Sequence, residues 1–444
     1  MHHLRALAGR FALLAPAVAV LPFARPHGPS TGFSPSGSSA TTSPSAQEPA
    51  AAPESGVEPV TAEAVVEHYA LLAHARYADA LGAARELFDT VQAFLREPSE
   101  ATFAATKRAW LSAHCVYSHT EPLRFGNPNT DAWEGRVNAW PMDEGLIDYV
   151  ADAYVAHEGN PYARWNFIAN GRTPIDEELI AEFQSGTDPK VAPTVAISDV
   201  ETNVTRGYHA IEFLLWGQDL NDPPTSAGRR PFTDYVLGDA GTGGSQERRC
   251  DYLSAAAGLL VEDLRFALLD WAPDGELYSK TFAALPVAER LDRMIVGLGT
   301  MCFGEIASER MQVALITSDQ EEEQSCFSDT THHAHWHNIA AIESFYRGTH
   351  THRDGTVTAG ASLDALVRRL DADLADRLDA QFVRTRAAAD ELLRRGEAGE
   401  PFDRIVAADN ESGRALVTRL MDELRAQTEL LEEVHGRIAD LTRL

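Results

Sequence analysis

Residues 205–217, Thr-Arg-Gly-Tyr-His-Ala-Ile-Glu-Phe-Leu-Leu-Trp-Gly, set an imidazole and a carboxylate three positions apart in an otherwise apolar run. On a helix such residues project about 60° from each other, so His209 and Glu212 share a face and can act on one ligand. Val204, Tyr208, Ile211 and Leu215 form a separate apolar stripe, and Ala210, Phe213, Leu214 and Trp216 fill most of the remaining surface. A helix that is apolar nearly all round is buried. Buried ionisable groups are costly unless they are paired or bound to a metal. An imidazole nitrogen with a carboxylate oxygen suits zinc, iron or manganese. The structural alternative is a core network in which His209 and Glu212 pair with each other or with Arg206. Gly207 removes a side chain beside them and lets a neighbouring helix or ligand approach. The zinc-protease signature His-Glu-x-x-His is absent, and so is its inverted form, because Phe213 stands where the second histidine belongs.

Two further groups could do chemistry. Residues 325–338, Ser-Cys-Phe-Ser-Asp-Thr-Thr-His-His-Ala-His-Trp-His-Asn, hold Asp329 with His332, His333, His335 and His337. Histidine-dense tracts bind metal in many proteins, but the plainer expectation for most of these imidazoles is simple solvation. His350 and His352, in a Gly-flanked loop, are expected to be solvated as well. Residues 119–126, His-Thr-Glu-Pro-Leu-Arg-Phe-Gly, place Glu121 and Arg124 at a helix end broken by Pro122. On its own that is a local ion pair worth little.

The elements that must position these groups are helical. Thr61 can cap a long helix running to about Arg96. Pro98-Ser99 stops it and caps a second, roughly 100–119. A Gly/Asn/Pro-rich segment, 126–141, reads as a loop. Ser198-Asp199-Val200-Glu201 fits a capping box opening a helix that ends at Gly217. Residues 223–245 read as a connector, with further helices near 246–271, 286–317, 334–347, 361–396 and 410–442. Alternating β-branched runs are absent, so the expected class is all-α. The two halves look alike: Glu121 and Arg124 late in a helix of the first, Glu305, Glu309 and Arg310 late in one of the second. This suggests two pseudo-repeated, up-and-down helical bundles, 61–230 and 246–444.

Charge and composition exclude some functions. The 444-residue chain carries 66 acidic against 38 basic side chains, a formal charge of −28, so a nucleic-acid partner is not expected. Residues 1–24 order two arginines, an apolar core and small residues as a secretory signal peptide does. Residues 25–60, rich in Pro, Ser and Ala, read as a disordered linker. No cysteine precedes Cys115, which argues against a lipoprotein anchor, and no later stretch is apolar for long enough to span a bilayer. The expected location is therefore periplasmic or extracellular, where the four cysteines could form disulfides. Their wide spacing gives no zinc signature, and Cys115 and Cys302 look like core residues.

Taken together, Gly-Tyr-His-Ala-Ile-Glu-Phe-Leu-Leu-Trp-Gly, Glu-Pro-Leu-Arg-Phe-Gly, the block at residues 133–150 and Glu-Glu-Glu-Gln-Ser-Cys-Phe-Ser-Asp-Thr-Thr-His resemble ordered blocks of the imelysin family, in its iron-regulated branch. The resemblance covers roughly residues 61–440. It implies an exported, all-helical protein of two related bundles with its site where they meet, linked to iron uptake and to other iron-uptake proteins of the envelope. The family's Gly-x-His-x-x-Glu motif carries over onto Gly207, His209 and Glu212, and its arginine-bearing block onto Glu121 and Arg124. Its Cys-Phe-Ser-Asp block carries over onto Cys326, Ser328, Asp329 and His332. The family's lipobox cysteine has no counterpart here, and the histidines after His332 depart from its pattern. The resulting expectation is a buried metal ion, iron first, with zinc or another divalent ion as alternatives. His209 and Glu212 are its ligands, with Glu121, Asp329 and His332 as further candidates. Arg124 orients a carboxylate, and Gly207 and Ser328 support the site. A metal-dependent peptidase, with Glu212 or Glu121 as general base, and a helical scaffold with a structural polar core are the alternatives.

Overall fold

The computed structural model describes residues 59–154, 160–170, 174–185, 200–220, 227–319 and 321–444. The expected signal peptide and nearly all of the expected linker lie outside these residues. Thr61 starts the fold: its side chain accepts a hydrogen bond from the Ala64 amide at 3.2 Å and opens α1, Ala62–Arg96. Ser99 and Thr102 cap each other in a capping box, and α2, Glu100–Tyr117, follows and tightens into a 3-10 turn over Ser118–Leu123. The expected loop after it contains a helix, α3, Pro128–Glu134. Pro128 sits at the start, where its missing N–H is not needed and its fixed φ suits a helix.

Short helices α4 (Phe167–Asn170) and α5 (Glu177–Ser185) lead to α6, Tyr208–Trp216. The helix expected from Ser198 is much shorter. Residues 198 and 199 lie outside the described part, residues 200–207 are not helical, and Gly207 at φ +93° breaks the chain immediately before Tyr208. Then come α7 (Gln246–Asp270), α8 (Tyr278–Ala283) and α9 (Val287–Gly299). The last continues without a break through a π-helical stretch, Thr300–Gln312, into α10, Val313–Thr317. α11, Thr331–Tyr346, is followed by an antiparallel hairpin, β1 (Thr349–Thr351) and β2 (Val357–Ala359). Beyond it lie α12 (Leu363–Leu370) and α13 (Ala372–Glu397). Asp371 divides the pair in extended conformation and caps the second. α14 (Phe402–Val406), α15 (Glu411–His435) and α16 (Ile438–Leu441) close the chain.

The fold is all-α apart from the one hairpin among the described residues. α1 packs along α2 and α7, and α2 and α7 enclose α6. α15 packs along α9, the π stretch and α13, and α13 packs along α11. One continuous apolar core runs through both sets of helices. The 3-10 turn after α2 reaches across to α9, the π stretch and α11, so the Glu121 end of the first set meets the second set there. All four cysteines are free thiols, three of them buried. Among the described residues no helix is long and apolar enough to cross a membrane.

Candidate functional site

Gly207 makes α6 possible. An added Cβ there would lie 2.4 Å from the Val137 carbonyl oxygen, and that oxygen accepts the Tyr208 amide at 2.7 Å. The approach that glycine permits is thus by backbone from the 126–141 segment. The Trp110 indole donates to the Tyr208 carbonyl at 2.9 Å, and the Tyr208 hydroxyl donates to the Ala113 carbonyl at 3.2 Å. Every side chain of α6 is buried, as its all-round apolar character requires.

His209 and Glu212 meet within this helix, with Nδ1 2.8 Å from Oε2. The other Glu212 oxygen accepts two hydrogen bonds from one residue, the Ser328 amide at 3.0 Å and its hydroxyl at 2.6 Å. Burial lowers His209 to about 3, helped by the Arg310 charge, so the pair is a hydrogen bond and not an ion pair at neutral pH. Burial raises Glu212 to about 8 against the opposing pull of the two Ser328 donors. The unfolded carboxyl ionises near 4.5, so the stability Glu212 contributes is fully present below that pH and is lost as pH rises through about 8. His209 does the opposite: its contribution is present above 6.5 and lost as pH falls toward 3. Glu212→Gln should therefore gain on wild type as pH rises from 5 to 8, by more than about 1 kcal/mol. Urea unfolding of both chelator-treated proteins at the two pH values measures this, and an unchanged difference would refute the assignment.

A polar chain links this pair to the second set of helices. His209 Nε2 lies 3.5 Å from the Gln324 amide nitrogen, and the Gln324 oxygen accepts from Arg310 at 3.3 Å. Arg310 also reaches Glu305 at 2.6 Å, Glu121 at 3.2 Å and Asn338 at 3.1 Å, all buried. Glu121 accepts from Asn138 at 2.8 Å, and the Asn138 oxygen faces His114 Nε2 at 3.0 Å. The His114 ring meets that of His209 edge to face at 5.2 Å. Glu305 and Arg310 meet because they lie five apart on a stretch wound with i→i+5 hydrogen bonds, which stacks such residues above one another. The two Glu/Arg groups seen in the sequence thus converge, with exchanged partners. Glu121 pairs with Arg310, while Arg124 pairs with Asp131 at 2.9 Å and Glu134 at 3.1 Å. The expected local Glu121–Arg124 pair does not form, because the 3-10 turn directs Glu121 toward the second set of helices.

Asp329 and His332 lie elsewhere. Asp329, at φ +56°, groups with Glu323 and Asp403, with one carboxylate oxygen of each within 4.8 Å of the others. Asp219 hydrogen-bonds Asp329, and burial with these like charges raises Asp329 to about 8. Glu323 is buried, and one of its oxygens has no hydrogen-bond partner. His332 stacks on His333 at 4.3 Å with Gly396 against its ring, and burial lowers it to about 3. His335 and His337 are also buried, His335 against Phe402 and His337 beside His119. The expected solvation of the histidine tract fails because α11 is enclosed by α13 and the 3-10 turn. Among the described residues, two groups of three or more side chains converge as metal ligands would: Glu323 with Asp329 and Asp403, and Asp79 with His350 and His352. His209, Glu212, Glu121 and His332 belong to neither. Of the residues that sequence reasoning did not single out, Glu323 and Gln324 lie in the Glu-Glu-Glu-Gln-Ser-Cys-Phe-Ser-Asp block and Asn138 in the block at residues 133–150, so the resemblance was their signal; Asp403 had none.

Residues 73–431 match the family model described as Imelysin. The chain belongs to the imelysin family. This imelysin is 23% identical over 313 residues to iron-regulated protein A of Synechococcus elongatus, covering 70% of each chain. Its fold resembles the crystal structure of a protein from Parabacteroides distasonis, described as an iron-regulated protein A precursor. The TM-score is 0.62 at 16% identity, over 86% of this chain and 97% of the other.

Proposed function

We propose that this imelysin is an exported protein that binds iron as cargo in the cell envelope and passes it to other iron-uptake proteins. The carrying observation is the Glu323, Asp329 and Asp403 group with the unpartnered oxygen of buried Glu323. Several carboxylates crowded out of water repel one another, and a hard, multiply charged cation relieves that repulsion while accepting their oxygens. The S. elongatus relative is named for iron regulation, which makes iron the first cation to test, and an all-oxygen donor set suits its harder, ferric form.

The motif helix acts beside this group. Glu212 already has one oxygen on His209 and the other on Ser328. As a ligand it would have to surrender one of them. As a positioning residue it changes nothing: it clamps Ser328, and so fixes the loop on which the next residue, Asp329, projects its carboxylate. His209 holds Glu212 in place, and the Arg310 charge on its far side disfavours a cation there.

Equilibrium binding of ferric citrate to chelator-treated protein tests this reading. Wild type should bind one iron per chain, and Asp329→Asn should weaken binding at least about a hundredfold, the loss of a ligand exceeding that of an outer partner. Ser328→Ala should weaken it less, through the loop. No iron binding by wild type, or equal binding by Asp329→Asn, would overturn it.

A further inference from the structure

The hairpin after α11 was expected to present solvated histidines, and it does not. His350 lies within β1 and His352 just past its end, so the period of two turns both to the same side, against α1. There they meet Asp79. One carboxylate oxygen, Asp79 Oδ2, lies 2.8 Å from His350 Nε2 and 3.1 Å from His352 Nδ1. The imidazole rings sit 4.6 Å apart at 70°.

We infer that Asp79, His350 and His352 form a second metal site, for a divalent first-row transition ion such as zinc or ferrous iron. Two imidazoles and one carboxylate are a donor set for such ions and not for calcium or magnesium, which prefer oxygen alone. The spacing fits: metal–ligand bonds of about 2.0–2.2 Å place neighbouring donor atoms roughly 3 Å apart, and two of the three edges of this triangle have that length. The outer support is in place too. His352 Nε2 is 2.8 Å from the Thr358 hydroxyl on β2, which fixes the ring and leaves Nδ1 turned to Asp79. The Arg76 guanidinium keeps a positive charge near the site, which Asp79 offsets. Arg76 donates to the carbonyls of His119 and Thr349 and to the Ser344 hydroxyl, and Arg353 pairs with Glu86.

A second observation points to a ligand. The three side chains line a cavity of about 750 Å³, shared with Cys115, His119 and His337. His337 is buried, its Nε2 has no hydrogen-bond partner, and its Nδ1 lies 2.9 Å from His119 Nε2. The cavity gives a bound ion room for exchangeable ligands, as an open coordination sphere needs.

The site shares no residue with the carboxylate group, so the two proposals fail separately. The test uses Asp329→Asn protein, chelator-treated, titrated with Co²⁺ as a spectroscopic probe and with Zn²⁺ by equilibrium dialysis. One Co²⁺ per chain should bind with a visible d–d spectrum showing nitrogen ligation, and Zn²⁺ should displace it. Adding His352→Ala, at a half-exposed position of the hairpin whose loss leaves the core intact, should weaken binding at least about a hundredfold. Asp79→Asn should do the same, and an unchanged circular dichroism melt shows that each variant is folded. No Co²⁺ binding to the Asp329→Asn protein, or binding indifferent to both substitutions, would mean that Asp79 only hydrogen-bonds the hairpin. Loss of ferric binding in Asp329→Asn with Co²⁺ binding retained supports both sites.

Discussion

Arg310→Met should lower the stability of the metal-free protein by about 3–5 kcal/mol, the usual cost of leaving a buried charge without its partner. Arg310 is buried and holds two buried carboxylates, Glu121 and Glu305, together with the Gln324 and Asn338 side-chain oxygens. Methionine fills much of the space but donates to none of them. Burial already holds the Glu121 carboxyl well above its ordinary range, and Arg310 is the largest influence opposing this. Without the guanidinium that opposing influence is lost, and the Glu121 carboxyl is pushed higher still. The double variant with Glu121→Gln should recover part of the loss, because an amide needs no counter-charge. Urea unfolding of wild type, both single variants and the double variant closes the cycle. Additive losses would show that the pair linking the two sets of helices contributes nothing specific.

Gly207→Ala should cost roughly 2–4 kcal/mol, from a backbone conformation open essentially to glycine alone and the loss of one buried hydrogen bond. At φ +93° and ψ −171°, a Cβ would press on the Val137 carbonyl that accepts the Tyr208 amide. Because that bond seats the start of α6, the variant should also loosen the Glu212–Ser328 contact. It should then bind ferric iron more weakly than Gly135→Ala, whose Cβ would meet nothing. Thermal melts and iron titrations of the two alanine variants decide the matter, and equal behaviour would refute the steric account.

What was legible in the sequence was local. Thr61 and Ser99 announced their helices because a cap and its amide partners lie within three residues. The buried character of α6 was legible because seven of its nine residues are apolar and encircle it. Its start was not, since a well-formed capping signature at Ser198 competed with a glycine whose conformation is dictated by Val137, 70 residues away. The same limit governed the site. Glu121 and Arg310 are 189 residues apart, and Asp79 and His350 are 271 apart. No spacing rule brings such residues together; the packing of α1, α2 and α11 does. The histidines of α11 misled because imidazole is counted as polar, yet when neutral it packs as an aromatic ring, as His335 does on Phe402.

The winding of Thr300–Gln312 bears on how relatives of this chain can be compared. Its inward residues recur at every fourth or fifth position: Met301 and Cys302, then Glu305 to Ala307, then Arg310 and Met311. A wheel drawn at 3.6 residues per turn would send Met301, Ile306 and Met311 to different sides, although all three are buried. Across this segment an alignment can be correct letter by letter and still misassign every face. A substitution placed on this segment of the chain must be read against the phase of a wider coil before it is ascribed to function.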